Sequence, residues 1–309
     1  MNDVYDIDLS SPRYDSLEGV MGLIYPDLFN PSLEERAIRA FRSLLQLFTA
    51  RLAHTTNSIA ATNRRRLYRL LTHYLAVEQL VPEDITIITF NQDLQVEKTI
   101  ELMSSAKRWR AIARDLFSFP HLYGADSWRE ITRPLSPEEV FTTAEEPRDT
   151  CMRVLKLHGS LNWYSAHDSQ DPAPTAMFDQ QRELRITQRR RIDPSMTLRQ
   201  QSGSQFTLPV VVPPVNHKSA VLHDKLKAIW HLAERRLEQA DELVIFGYSC
   251  PPLDFESSNL LRRAQRKRPA AARTLVIDPN GEVASRYIDV LEPDSMAYFP
   301  SAEALLRQL

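Results

Sequence analysis

Glycine is scarce in this chain, with seven residues in 309 against twenty prolines. Glycine loops are the usual way an α/β fold brings backbone close to a phosphate, so the shortage weighs against a standard phosphate loop. None of the seven falls in a G-x-G-x-x-G pattern. The nearest approach, Gly19 and Gly22 in "LEGVMGLIY", follows no convincing strand and suits local packing. Cysteine is scarcer still. Cys151 and Cys250 are too few for a four-cysteine zinc module and form no disulfide framework, so both are expected to be buried, inert thiols. A strong charge of one sign is also missing: the formal net charge is -2, which argues against a dedicated nucleic-acid binder. No apolar run approaches the ~20 residues of a membrane span, and the polar opening "MNDVYDIDLSS" lacks a signal-peptide core. The expectation is a cytoplasmic protein without a membrane partner.

What is present is a regular alternation of helices and short apolar strands. Asn30-Pro31 followed by Glu34 and Glu35 is a helix start, and helical spacing predicts a helix over 31–54. A second helix is predicted over 59–80, closed by Pro82, so that 1–82 forms a mainly helical N-terminal part. "ITIITF" (85–90) is a strand that reads as fully buried, followed by a helix over about 93–105. "MRVLKLHGS" gives a strand over 152–157 running into a turn. After "FTLPVVVPP", a strand stopped by two prolines, a long amphipathic helix follows. The pattern then runs "ELVIFG" (strand), "DFESSNLLRRAQRK" (helix), "TLVIDPN" (strand), a helix near 281–290, "MAYF" (strand) and a final helix. Residues 106–150 and 166–206 break the pattern and are read as insertions within one 1–309 domain. The fold class expected is α/β, a Rossmann-like doubly wound parallel sheet with helical insertions.

In such a sheet a ligand binds outside the carboxyl ends of the strands. Those ends carry "TFNQD" (Phe90, Asn91, Asp93), "LHGS" (His158), "FGYS" (Gly247, Tyr248, Ser249) with Asp254 just after, and "IDPN" (Asp278, Asn280). Taken singly, each has an ordinary explanation as a helix cap, a turn or a satisfied histidine. Taken together they line one crevice with a possible base and several hydrogen-bonding groups.

This ordered set resembles the sirtuins, and more closely the bacterial sirtuin-like proteins of anti-phage NAD-depleting systems. "TFNQD" is similar to the family's threonine-x-asparagine-x-aspartate segment, "KLHGS" to its histidine-glycine, "VIFGYSCPPLD" to the bacterial branch's glycine-tyrosine-serine-x-x-x-x-aspartate, and "VIDPN" to the strand that meets the adenosine ribose. The upstream "VVPPVNHK…IWHLAERRLEQADEL" also resembles that branch, and the match spans roughly 85–300. The resemblance implies hydrolysis of NAD+ at the nicotinamide–ribose bond. His158 would be the base, Asn91 would hold the ribose or position water, and Asp93 would bond the nicotinamide carboxamide. Phe90, Gly247, Tyr248, Ser249, Asp278 and Asn280 would complete the NAD+ site, with Asn280 at the adenosine ribose. Asp254 is expected chiefly to cap the next helix, with a weaker claim on the ligand.

Two departures shape the expectation. The deacetylating members carry a zinc module on two cysteine pairs, which this chain cannot form, so no zinc is expected and deacylation is disfavoured. The glycine-alanine-glycine-x-serine loop that opens the family's fold has no counterpart in the sequence, which leaves open a non-catalytic or partner-completed NAD or ADP-ribose-binding module. The resemblance implies self-assembly or a partner protein in a defence complex. The basic runs at 64–69, 188–192 and 262–268 read as solvated faces, so a direct nucleic-acid contact is possible but not favoured. No histidine pair has metal-ligand spacing.

Overall fold

The computed structural model describes residues 17–30, 32–58, 61–117, 121–123, 129–131, 151–165, 167–168, 184–187, 198–199, 204–206, 209–212, 224–251 and 254–308. Helices α1 (Leu17–Ile24), α2 (Glu34–Ser58) and α3 (Ala61–Ala76) form the helical N-terminal part. α1 and α2 bury Val20, Met21, Ile24, Phe41, Leu44 and Leu45 in a second cluster that also takes in Leu28 and Val211. The α3 helix ends earlier than its apolar spacing predicts: Gln79 adopts a left-handed φ of 57°, and Pro82–Asp84 forms a 3-10 turn before the first strand.

The strands expected at the site are all present: β1 (Thr86–Thr89), β2 (Arg153–Lys156), β5 (Glu242–Phe246), β6 (Arg273–Ile277) and β7 (Met296–Phe299), with β3 (Gly159–Ser165) and β4 (Pro209–Val211) between. Helix α4 (Gln95–Ser105) follows β1, α5 (Asp224–Glu238) precedes β5, α6 (Phe255–Gln265) joins β5 to β6, and α7 (Glu282–Leu291) joins β6 to β7; α8 (Ala302–Leu305) follows β7. The fold is mixed α/β, but β1, β2, β5, β6 and β7 form two small parallel sheets. β1 pairs in parallel with β2, Thr86 opposite Arg153 through Thr89 opposite Lys156. β5, β6 and β7 make a separate three-stranded parallel sheet. Both sheets share one hydrophobic core, which takes in Val154, Leu155 and Leu157 from the β2 side, and Ile245, Val276 and Tyr287 from the other, with Ile87, Ile88 and Leu243 packed against it.

β1 is not the fully buried strand its composition predicts. All four of its residues are half-exposed, whereas every residue of β2 is buried. Each strand has one strand neighbour among the described residues; what differs is that α5 and the His121–Tyr123 turn pack closely on β2, and no described helix packs as closely on β1.

The region read as insertions contains short strands that the sequence pattern did not reveal. β3 pairs antiparallel with Leu184–Thr187 and with β4, and Arg129–Ile131 adds to the far side of Leu184–Thr187. His167–Asp168, Leu198–Arg199 and Ser204–Phe206 form another small antiparallel sheet. Most of 118–150 and 169–203, and the "PPVNH" segment at 213–217, lie outside the described residues. Among the described residues no helix is long and apolar enough to cross a membrane.

Candidate functional site

Parallel pairing puts the carboxyl ends of β1 and β2 side by side, and those of β5 and β6 likewise. Leu157 and His158 form the turn from β2 into β3. Gly159, next in sequence, has a φ of +77°, and a Cβ there would lie 2.1 Å from the Val210 carbonyl oxygen of β4. Only glycine fits, so the His-Gly pair has a steric cause before any chemistry is invoked. His158 itself is buried, its carbonyl accepting from the Val212 N–H at 2.8 Å. Its ring centroid lies 5.5 Å from that of Phe90 and 6.2 Å from that of Trp230, whose indole N–H donates to the Leu157 carbonyl at 2.8 Å.

Phe90 leads to the second sheet. Its ring stacks on Tyr248 with centroids 4.1 Å apart and planes 22° apart. Tyr248 follows Gly247, which has a φ of +65° and no atom within 4 Å of where a Cβ would sit. The Tyr248 hydroxyl donates to Asp254 Oδ2 at 2.9 Å. Burial, reinforced by the Asp254 charge, pushes the Tyr248 phenol far above its ordinary value, so it stays protonated and a donor at neutral pH. Asp254 stands at the N-cap position of α6, as expected, yet its side chain makes no capping bond and serves Tyr248 instead. His158, Phe90, Tyr248 and Asp254 thus form one continuous chain of contacts across the two sheets.

The remaining candidates divide. Asp93 Oδ1 accepts from the Gln95 N–H at 3.0 Å and shapes the entry to α4. Asn91 is exposed, its N–H donating to Thr89 Oγ1 at 3.1 Å. Asp278 Oδ1 accepts from the Asn280 N–H at 2.8 Å, and Asn280 Oδ1 accepts from the Glu282 N–H at 3.0 Å at the start of α7. The Ser249 carbonyl accepts from Arg286 Nη1 at 3.3 Å. Asp278 and Asn280 lie at the same strand edge as Gly247, whose N–H donates to the Ile277 carbonyl at 3.0 Å. Among the described residues no hydrogen bond or ring contact links them to His158.

Sequence reasoning missed the polar network beneath this edge. Lys156, 1% exposed, donates to Glu97 Oε1 at 2.9 Å and to the Asp93 carbonyl. The Tyr123 hydroxyl also reaches Glu97 Oε1, at 3.1 Å, and accepts from Asn162 Nδ2 at 2.9 Å, while Ser160 Oγ donates to Asn162 Oδ1 at 2.6 Å. The network ties the loop after β1 to the strand that carries His158. Its signal in the sequence was a lysine between leucines in a buried strand, "VLKLH", which demands a carboxylate partner.

Cys250 is buried, with a left-handed φ of 47°, and burial pushes its thiol up. Among the described residues no cluster of three or more histidine, cysteine, aspartate or glutamate side chains is placed to hold a metal ion. No known family model, curated protein or solved structure matches the chain.

Proposed function

We propose that the chain is a sirtuin-like NAD+ hydrolase that cleaves the nicotinamide–ribose bond, releasing nicotinamide and ADP-ribose. The observation that carries this reading is the position of His158 at the carboxyl end of β2, beside Phe90 at the end of β1 and, through it, Tyr248 at the end of β5. In this reading the two parallel sheets are parts of one doubly wound arrangement, and the substrate lies across their carboxyl ends. Departure of neutral nicotinamide leaves an oxocarbenium-like ribose, which water attacks as His158 takes its proton. The imidazole suits the task because its ordinary titration lies near neutral pH. The half-buried Phe90–Tyr248 pair offers an aromatic surface for a flat ring. The resemblance of the strand ends to the bacterial NAD-depleting branch supports a defence role by NAD+ depletion, within a homo-oligomer or with a partner protein.

A second reading, a module that binds NAD+ or ADP-ribose without turning it over, is favoured by one specific feature. Asp93, Asp278 and Asn280 each spend a side-chain oxygen on the chain's own helix starts, and no glycine loop supplies pyrophosphate donors. Missing charge-assisted hydrogen bonds weaken binding by about 1.5–3 kcal/mol each.

The test is release of nicotinamide and ADP-ribose from NAD+ by the purified chain, against His158→Ala and the bulkier His158→Gln. Loss of a base lowers turnover by roughly 10²–10⁴-fold, and unchanged circular dichroism shows that the variants are folded. Turnover by His158→Gln within a few-fold of the parent removes His158 from the base role. Binding of NAD+ or ADP-ribose without release, in the parent itself, selects the second reading.

A further inference from the structure

The loop that leaves β1 is held by the hairpin that carries His158. Between Thr89 and Asp93 three backbone carbonyls accept from that hairpin: Thr89 from the Leu157 N–H at 3.0 Å, Gln92 from the Leu161 N–H at 3.0 Å, and Asp93 from the Lys156 ammonium. A fourth tie runs through Val212, just past β4, whose N–H donates to the His158 carbonyl at 2.8 Å and whose carbonyl accepts from Gln92 Nε2 at 3.4 Å. Donors from both sides of His158 in sequence therefore grip one short loop. Of the loop's polar side chains, Gln92 is spent on Val212 and Asp93 on the Gln95 N–H, at 3.0 Å. The exposed Asn91 is left to face a ligand.

The Leu157 and Leu161 donors are backbone amides that any residue would supply. Lys156 is a side chain on a flexible stem, and it can hold a carbonyl in place only if its own end is fixed. That end is fixed by a relay. Lys156 Nζ donates to Glu97 Oε1 at 2.9 Å, and the same oxygen accepts from the Tyr123 hydroxyl at 3.1 Å. Tyr123 accepts from Asn162 Nδ2 at 2.9 Å, and Asn162 Oδ1 from Ser160 Oγ at 2.6 Å. Burial and the Glu97 charge push the Tyr123 phenol well above its ordinary value, so it remains a donor to the carboxylate. Lys156 stands two residues before His158 and Ser160 two after it, so the relay closes into a ring around the His158 turn. Stability alone does not call for this arrangement, because well-packed apolar residues often serve as well as a buried ion pair. What an apolar pair cannot do is hold the Asp93 carbonyl.

We infer that Lys156 is a positioning residue: by holding the Asp93 carbonyl it keeps the loop that carries Asn91 at a fixed station beside His158. The inference rests on the hydrolase reading for the use of that station, where Asn91 and His158 meet one substrate. Lys156, 1% exposed, does not touch the substrate and acts through the main chain of Asp93. Glu97, Tyr123, Asn162 and Ser160 hold Lys156 in turn. A displacement of about 1 Å at such a site costs about 10²-fold in rate, so a hold on the backbone is felt at the reacting bond.

The test uses variants that remove the ammonium without stranding a buried charge: Lys156→Met with Glu97→Leu, and Lys156→Met with Glu97→Gln, which keeps an acceptor for Tyr123. Urea unfolding is expected to place both near the parent in global stability. Amide hydrogen exchange at residues 91–93 is expected to quicken about tenfold or more, while the amides of β6 keep their protection. With nicotinamide release from NAD+ as the assay, kcat is expected to fall about 10²-fold and KM to stay within a few-fold. A purely structural ion pair leaves kcat and the exchange of the loop as in the parent, and either of those results overturns the inference. A loss carried by KM overturns it too, because it assigns Lys156 to substrate binding. A parent that releases no nicotinamide removes the hydrolase reading, and exchange at 91–93 then decides by itself whether Lys156 holds the loop.

Discussion

β1 and β2 lie side by side in register, yet the more apolar of the two is the more exposed. β1, "TIIT", is half-exposed throughout, whereas β2, "RVLK", carries two cationic side chains and is buried at every position. Hydropathy therefore does not order burial here. Packing elements do: α5, the His121–Tyr123 turn and the β3 turn close over β2, while among the described residues no helix packs as closely on β1. The difference also shows what a buried charge requires. Lys156 is matched by Glu97 and the Asp93 carbonyl, and Arg153 donates to Cys151 Sγ at 2.6 Å.

The comparison breaks most visibly at that ion pair. Removing one partner strands the other charge in the interior, at a cost of about 3–5 kcal/mol, whereas replacing both with apolar residues is often close to neutral. Lys156→Met and Glu97→Leu are each expected to lower unfolding stability by that amount in urea titration, and the double variant to recover most of the loss. Additive losses in the double variant would mean that the pair is not the unit of stability. Because Lys156 also holds the Asp93 carbonyl, Lys156→Met, alone or in the double variant, should loosen the loop that carries Asn91, whereas Glu97→Leu keeps that bond.

A milder version contrasts the two strands directly. Leu155, fully buried in β2, and Ile88, half-exposed in β1, are opposite each other in the ladder. Truncating a core leucine costs about 2–5 kcal/mol with its cavity, and the cost shrinks when a site is open to water. Leu155→Ala should fall in that range and Ile88→Ala well below it, by the same urea titration. Equal losses would show that the face of β1 that carries Ile88 is as well covered in solution as that of β2.

Much of this was legible in the sequence, and the failures share a cause. The β-branched runs at 85–90, 242–246 and 273–277 announced β1, β5 and β6; Pro82 and Gly247 marked limits of β1 and β5, and Gly159 the end of the β2 turn. The polar strand ends were legible as a group, because parallel pairing of alternating βα units brings carboxyl ends together. What was not legible depends on partners distant in the chain. Glu97 and Lys156 are 59 residues apart, so a lone lysine in a strand gave no hint of which carboxylate would meet it. The division of the parallel strands into two sheets was equally hidden, since an apolar run looks the same whether one or two strands flank it. Asp93, Asp278 and Asn280 were ambiguous in principle: the oxygen that could meet a ligand is also the oxygen that starts a helix.

The smallest effect sharpens the lesson by placing the same chemistry at the surface. Arg263 on α6 grips Glu234 on α5 through Nε at 2.7 Å and Nη2 at 3.1 Å, a two-pronged pair whose arginine is 54% exposed. The hydrogen bond from Arg263 lowers the Glu234 carboxyl below its ordinary value, against a smaller opposing effect of burial. A depressed carboxyl stabilises the folded chain above its unfolded value, about 4.3, and the contribution fades as pH falls through the lower folded value. Solvent screening limits an exposed pair to about 0.2–1 kcal/mol. Glu234→Gln should therefore lose a fraction of a kcal/mol at pH 7 and nearly nothing at pH 3, measured by urea unfolding at both. A loss that persists at pH 3 would point to packing between α5 and α6 instead of charge. The contrast with Lys156 then isolates burial, because both sites join a cation to a carboxylate across two elements and differ chiefly in their access to water.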